Sequence, residues 1–153
     1  MTADKQPNYL RLNMGANVQH AVAPFAQWRK VKDGTKGVVV GTGPVTENIL
    51  NSPFADDLEV WVVSVFPIMD LPLELISAIN ATQKLITIEE HNGECGLRET
   101  LSYHLINQLS GSIKILSLSA HGYPSGRYGD QKFHQAENNL CGEGLHARLA
   151  DFL

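Results

Sequence analysis

The sequence predicts an α/β fold, a three-layer sandwich in which a mostly parallel sheet is flanked by helices. From Gly37 onward, Val- and Ile-rich runs of strand length alternate with stretches whose apolar residues recur at helical intervals. These runs show no strict polar alternation, so both faces of the sheet are expected to be covered, as in a parallel sheet. At 153 residues the chain has room for one proper core and too little for two ordinary domains.

Four strands are expected: Gly37–Gly41, 58–66, 84–88 and 113–118. After the first, Gly43 and Pro44 suit the cap and first residue of a short helix that reaches about Leu50, and Pro53 stops its extension. Before the third strand, Asp70 is placed to accept from free amides at a helix start. Pro72 tolerates the first turn, and Leu73, Ile76 and Ile79 form an apolar face for the sheet. Leu97, Leu101, Leu105 and Leu109 stand four apart, the clearest helical period in the chain, and Gly111 ends it. The segment from His121 to Asp130 has the glycine and proline chemistry of an ordered loop, and a final helix is expected over 145–153. Before Gly37 the pattern weakens, leaving only a short strand around Asn8 to Leu12 and a mixed segment from Val18 to Trp28.

Hydrophobic residues make up 43% and charged residues 18%, a balance that allows collapse into a globule. A net charge of −4 without a Lys/Arg stripe argues against nucleic acid as a partner. Cys95 and Cys141 lack the short spacing of a zinc or redox pair and fit a reduced, cytoplasmic setting. No apolar run approaches the roughly 20 residues of a membrane span, so no membrane association is expected.

The most specific stretch is Thr87-Ile88-Glu89-Glu90-His91, followed by Gly93 and Gly96-Leu97. It resembles the strand-to-helix signature Val-x-Val-Glu-Glu and Gly-Gly-Leu-Gly of the C-terminal domain of transketolases and their thiamine diphosphate-dependent relatives. Three further turns agree in order. Gly41-Thr42-Gly43 resembles the family's Ala-Thr-Gly turn, Phe66-Pro67-Ile68-Met69-Asp70 its Lys-Pro-Leu-Asp turn, and Gly142-Glu143-Gly144-Leu145 its terminal Tyr-Gly-Leu. Residues 1–36 resemble the end of the preceding pyrimidine-binding domain and its linker, and 37–153 the C-terminal domain itself.

The resemblance implies an assembly domain of an enzyme that transfers two-carbon ketol units between sugar phosphates. The cofactor, thiamine diphosphate with magnesium, then belongs to the pyrimidine- and diphosphate-binding domains, which become the partners, and a homo-oligomer is expected. Neither cofactor-binding domain lies in this sequence, so the chain alone is expected to be inactive and to bind no cofactor. Gly129-Asp130 and Asn138-Asn139 imitate the family's metal-binding Gly-Asp-Gly and Asn-Asn. Gln131 replaces the last glycine, however, and the interval is too short, so the match is read as coincidence.

Residues at strand C-terminal ends form the candidate ligand-binding set: Thr42, Gly43, Glu89, Glu90, His91 and His121. Gly41-Thr42-Gly43-Pro44-Val45-Thr46 lacks the third glycine of a dinucleotide fingerprint and is read as a tight turn. Adjacent Glu89 and Glu90 can raise each other's proton affinity for acid-base work; alternatively, Glu90 or His91 caps the following helix or meets a neighbouring domain. Other readings are an anion or small metabolite held at this edge by a free-standing module, with Arg127 and Lys132 attracting a phosphate, and a hydrolase using Cys95 with His91. A metal shared by His91, His121 and His134 is weighed against ordinary hydrogen-bonding histidines, the reading favoured by their wide spacing. No catalytic residue and no metal ligand is assigned.

Overall fold

The computed structural model describes residues 25–153. Its five strands are β1 (Trp28–Lys32), β2 (Gly37–Gly41), β3 (Leu58–Val63), β4 (Lys84–Asn92) and β5 (Lys114–Ala120). They form one sheet in the order β1-β3-β2-β4-β5. Strands β2 to β5 pair in parallel, and β1 runs antiparallel along β3. The helices are α1 (Glu47–Leu50), α2 (Leu73–Thr82), α3 (Leu97–Leu105), α4 (Gln131–Glu137) and α5 (Gly142–Phe152).

Strand alternation divides the core into two layers. Val38, Val40, Trp61, Val63 and Leu85 point to one face, where Leu75, Ile76 and Ile79 of α2 and Leu97, Leu101 and Leu105 of α3 cover them. Val39, Leu58, Val60, Ile86, Ile88 and Leu118 point to the other, under Ile49 of α1 and Leu145 and Leu149 of α5. The three-layer α/β sandwich with a mostly parallel sheet is therefore the observed architecture.

Several details depart from the sequence reading. β1 lies in the segment taken as an N-terminal extension, and its sequence, Trp-Arg-Lys-Val-Lys, carries too little apolar signal to announce a strand. Its charges suit a sheet edge, with Lys32 paired to Asp56 at 2.8 Å and Lys30 bonded to Glu74 of α2. The expected strand near Asn8 and most of the Val18 to Trp28 segment fall outside the described residues. Asp70 does not cap α2, because the helix begins only after Pro72; instead the Asp70 carbonyl accepts from Trp28 Nε1 at 3.0 Å. Leu73 is 80% exposed, and the buried stripe is Leu75, Ile76 and Ile79. Leu109 lies in the turn after α3 and still packs on its cluster. A whole helix, α4, was not anticipated.

Candidate functional site

The chain runs from β2 to β3 on one side, then crosses back to β4 on the other, so the strand order reverses between β2 and β4. Such a switch point ordinarily opens a crevice for ligands at the strand C-termini. Here the backbone narrows it. Thr42 N–H donates to the Ile88 carbonyl at 3.2 Å, joining the two strand ends. Gly43 takes a φ of 76°, which favours glycine, and its carbonyl accepts from the Thr46 hydroxyl at 3.0 Å. A Cβ on Gly41 would lie 2.1 Å from that hydroxyl. Thr42 and Gly43 thus form a tight turn closed on itself, with only a short 3-10 turn (Pro44–Thr46) and the four residues of α1 behind it.

β4 continues through Asn92, beyond the expected stop at Ile88. Because strand residues alternate sides, Glu89 and Glu90 face opposite layers and do not form an acid-base pair. Glu89 is 3% exposed and turns toward α3, where its Oε1 accepts from Leu97 N–H at 2.7 Å. It caps the helix from eight residues away in the chain. Burial raises its pKa; the Leu97 bond and the nearby His91 and Arg98 charges offset this in part. A Cβ on Gly96 would come within 2.5 Å of Glu89 Oε1, so the helix entry is fitted around this carboxyl group. His91 is exposed.

Glu90 points the other way, to α4. Its carboxylate accepts from Gln131 Nε2 at 2.8 and 2.9 Å and from Gln135 Nε2 at 2.6 Å. Gln135 Oε1 in turn accepts from Asn48 of α1 at 3.1 Å. Beyond this network a cleft of about 990 Å³ opens between the ends of β4 and β5, the following loop and α4. Glu90, His121, Tyr123, Gln131, His134, Gln135 and Asn138 line it. Asn138, 5% exposed, accepts from His121 N–H at 2.7 Å and donates to the His134 carbonyl at 2.9 Å.

His134 holds an unusual position. Gly129 N–H, which can only donate, bonds to its Nε2 at 3.2 Å, so the neutral ring carries its proton on Nδ1. That Nδ1 is buried without a hydrogen-bond partner. An unmade bond of this kind costs about 1–3 kcal/mol. The ring packs edge-on against Tyr123, with centroids 5.2 Å apart.

Of the six candidate residues, Glu90 and His121 meet in the cleft, and Thr42, Gly43, Glu89 and His91 do not line it. Arg127 and Lys132 are exposed outside its lining. His121 and His134 share the cleft, but among the described residues no three His, Cys, Asp or Glu side chains are grouped to hold a metal ion. Cys95 is an exposed free thiol in left-handed backbone (φ 55°), and its N–H donates to Glu99 at 2.9 Å. The amides of α4 were missed because this helix buries no apolar face. The available signal was Asp130, an N-cap residue whose side chain accepts from Phe133 N–H at 2.8 Å, with Gln131 and Gln135 one turn apart behind it.

Among the described residues, neither the cleft lining nor the Asp130 and Asn138 pair fits thiamine diphosphate with magnesium. The Asp130 and Asn138 oxygens that imitate the metal-binding motif are engaged by backbone N–H groups of Phe133 and His121. No Lys or Arg lines the cleft to meet a diphosphate.

No family profile matches the chain, and no curated protein matches it in sequence. Among solved structures it is similar to a split-gene transketolase described as an inactive β4 tetramer, with a TM-score of 0.65 and 18% identity. The match covers 84% of this chain and 43% of that one, so this chain spans less than half of the transketolase chain's length. At that identity the likeness is one of fold. What the chain shares with this transketolase is thus an α/β fold, and the fold is that of a transketolase C-terminal-like domain.

Proposed function

We propose that this chain is the C-terminal assembly domain, or a separate subunit of that kind, of a transketolase-type enzyme that transfers two-carbon ketol units between sugar phosphates. It is not catalytic alone. Its partners are the pyrimidine- and diphosphate-binding domains, which hold thiamine diphosphate and magnesium, and the assembled enzyme is a cytoplasmic homo-oligomer. The observation that carries this reading is the transketolase-like fold, with three of the four family-like turns at strand or helix ends and the fourth in the loop between β3 and α2.

The chemistry of this chain is then that of holding and docking. Met69 ahead of α2, Leu73 at its first residue, and Tyr103 and Ile106 at the end of α3 are largely exposed apolar side chains. His104 Nε2 donates to the Ile68 carbonyl at 2.9 Å, which ties these two segments together. Exposed apolar surface of this kind suits contact with another domain.

A thermal-unfolding titration tests the reading. Thiamine diphosphate with Mg²⁺ is expected to leave the melting temperature of the purified chain unchanged. A ligand that binds only the folded state must raise it, so a saturable increase would show that the chain carries a cofactor site of its own.

A further inference from the structure

β5 is an edge strand: it pairs with β4 and, among the described residues, has no strand on its other side. Lys114 N–H donates to the Gln83 carbonyl at 3.0 Å, on the β4 side. Alternate residues of a strand turn their backbone groups to the same side, so Ile115 and Ser117 direct theirs outward. Outward donors and acceptors of this kind are a template for another chain. The stretch Ile115-Leu116-Ser117-Leu118-Ser119-Ala120 carries neither charge nor proline, the composition of a segment prone to self-pairing. Beside it lies a groove of about 300 Å³, lined among others by Leu105, Ile106, Leu109, Ile113 and Ile115, which suits an apolar side chain of an added strand. Ile115 itself is 41% exposed.

One side chain interrupts this edge. Arg148 of α5 reaches past the sheet, and its Nη2 donates to the Ser117 carbonyl at 2.7 Å. We propose that Arg148 is an edge guard, which keeps β5 from pairing antiparallel with β5 of a second copy of this chain.

Two physical effects make it one. The guanidinium engages the carbonyl that an added strand needs, and it stands in the space about 4.8 Å beyond β5 where that strand would lie. Two copies related by a two-fold axis beside Ser117 would also bring both Arg148 side chains to that axis, like charge against like. A second copy is therefore the occupant this residue rejects most strongly. For folding alone the bond has little value, because at a sheet edge water can serve the same carbonyl.

This inference stands apart from the assembly reading, since it concerns a contact that the wild type avoids, and either can fail without the other. The test is sedimentation equilibrium of the full chain, wild type against Arg148→Ala, with amide hydrogen exchange on the same samples. The variant is expected to approach twice the wild-type mass as concentration rises past a Kd on the order of 100 μM, the weak affinity of a small contact. Exchange at the Ile115 and Ser117 N–H groups should slow about tenfold with that association, while β4 stays as protected as in wild type. Adding Ile115→Lys, which returns a charge to the edge, should restore the wild-type mass. If Arg148→Ala loses its fold, Arg148→Met, which keeps the aliphatic stem, takes its place. The proposal is overturned if the folded variant matches wild type in mass up to roughly 1 mM, some ten times the expected Kd. Association without added protection at Ile115 and Ser117, or association that survives Ile115→Lys, also overturns it. Loss of fold in both Arg148 variants would make the residue a structural pin and overturn it too.

Discussion

Ile86→Ala is expected to destabilise the folded chain by about 3–5 kcal/mol, read as a lower midpoint in urea denaturation. Ile86 lies mid-strand in β4, fully buried, with Val39 of β2 and Leu116 of β5 as its register partners. It belongs to the layer sealed by α1 and α5, so truncation leaves a cavity between the sheet and these helices that the hydrogen-bonded strands cannot close. Ile86→Val removes a single methylene and should cost only about 1 kcal/mol. A loss under about 1.5 kcal/mol for the alanine variant would mean that this layer is not closely packed.

Glu89→Ala should cost about 2–4 kcal/mol, because it strips the acceptor from Leu97 N–H at the start of α3 and leaves a buried donor unmet. Glu89→Gln keeps an acceptor oxygen and separates capping from charge. The folded-state pKa of Glu89 is raised, so between the ordinary carboxylate range and that raised value the folded chain holds a proton that the unfolded chain has released. Stability from this group is therefore fully present below the unfolded pKa and is lost as pH rises through the folded one. Wild type should lose ground to the Gln variant between about pH 4 and neutrality, measured by urea denaturation at both ends. Wild type gaining on the Gln variant across that interval would show that the Leu97 bond and the His91 and Arg98 charges outweigh burial.

The parts legible in the sequence are those where burial writes itself as hydrophobicity. β2, β3 and the body of β4 are Val, Ile and Leu runs because helices cover both their faces, and α3 shows its leucines every four residues. β1 was hidden because an edge strand tolerates three cations in five residues. α4 was hidden because it buries no apolar residue and is held by its Asp130 cap and by glutamines bonded to Glu90.

At the site, the sequence named residues at strand C-termini, of which Glu90 and His121 line the cleft. It could not show that the strand persists to Asn92, because Glu-Glu-His-Asn reads as polar turn chemistry. That persistence sends Glu89 to cap a helix and Glu90 to the cleft. Gln131, Gln135 and Asn138 come from α4 and its end, more than 30 positions beyond Glu90, and the hydrogen bonds of the two glutamines to Glu90 leave no local pattern.

The measurement that bears most directly on the assembly role is ketol transfer from a ketose phosphate to an aldose phosphate, with thiamine diphosphate and Mg²⁺ present. It is run on this chain alone, on a polypeptide carrying the pyrimidine- and diphosphate-binding domains alone, and on the two combined. The chain alone should show no turnover, and its addition should raise the activity of the other polypeptide as the two co-elute. Turnover by the isolated chain, or a partner activity indifferent to its presence, would contradict the account.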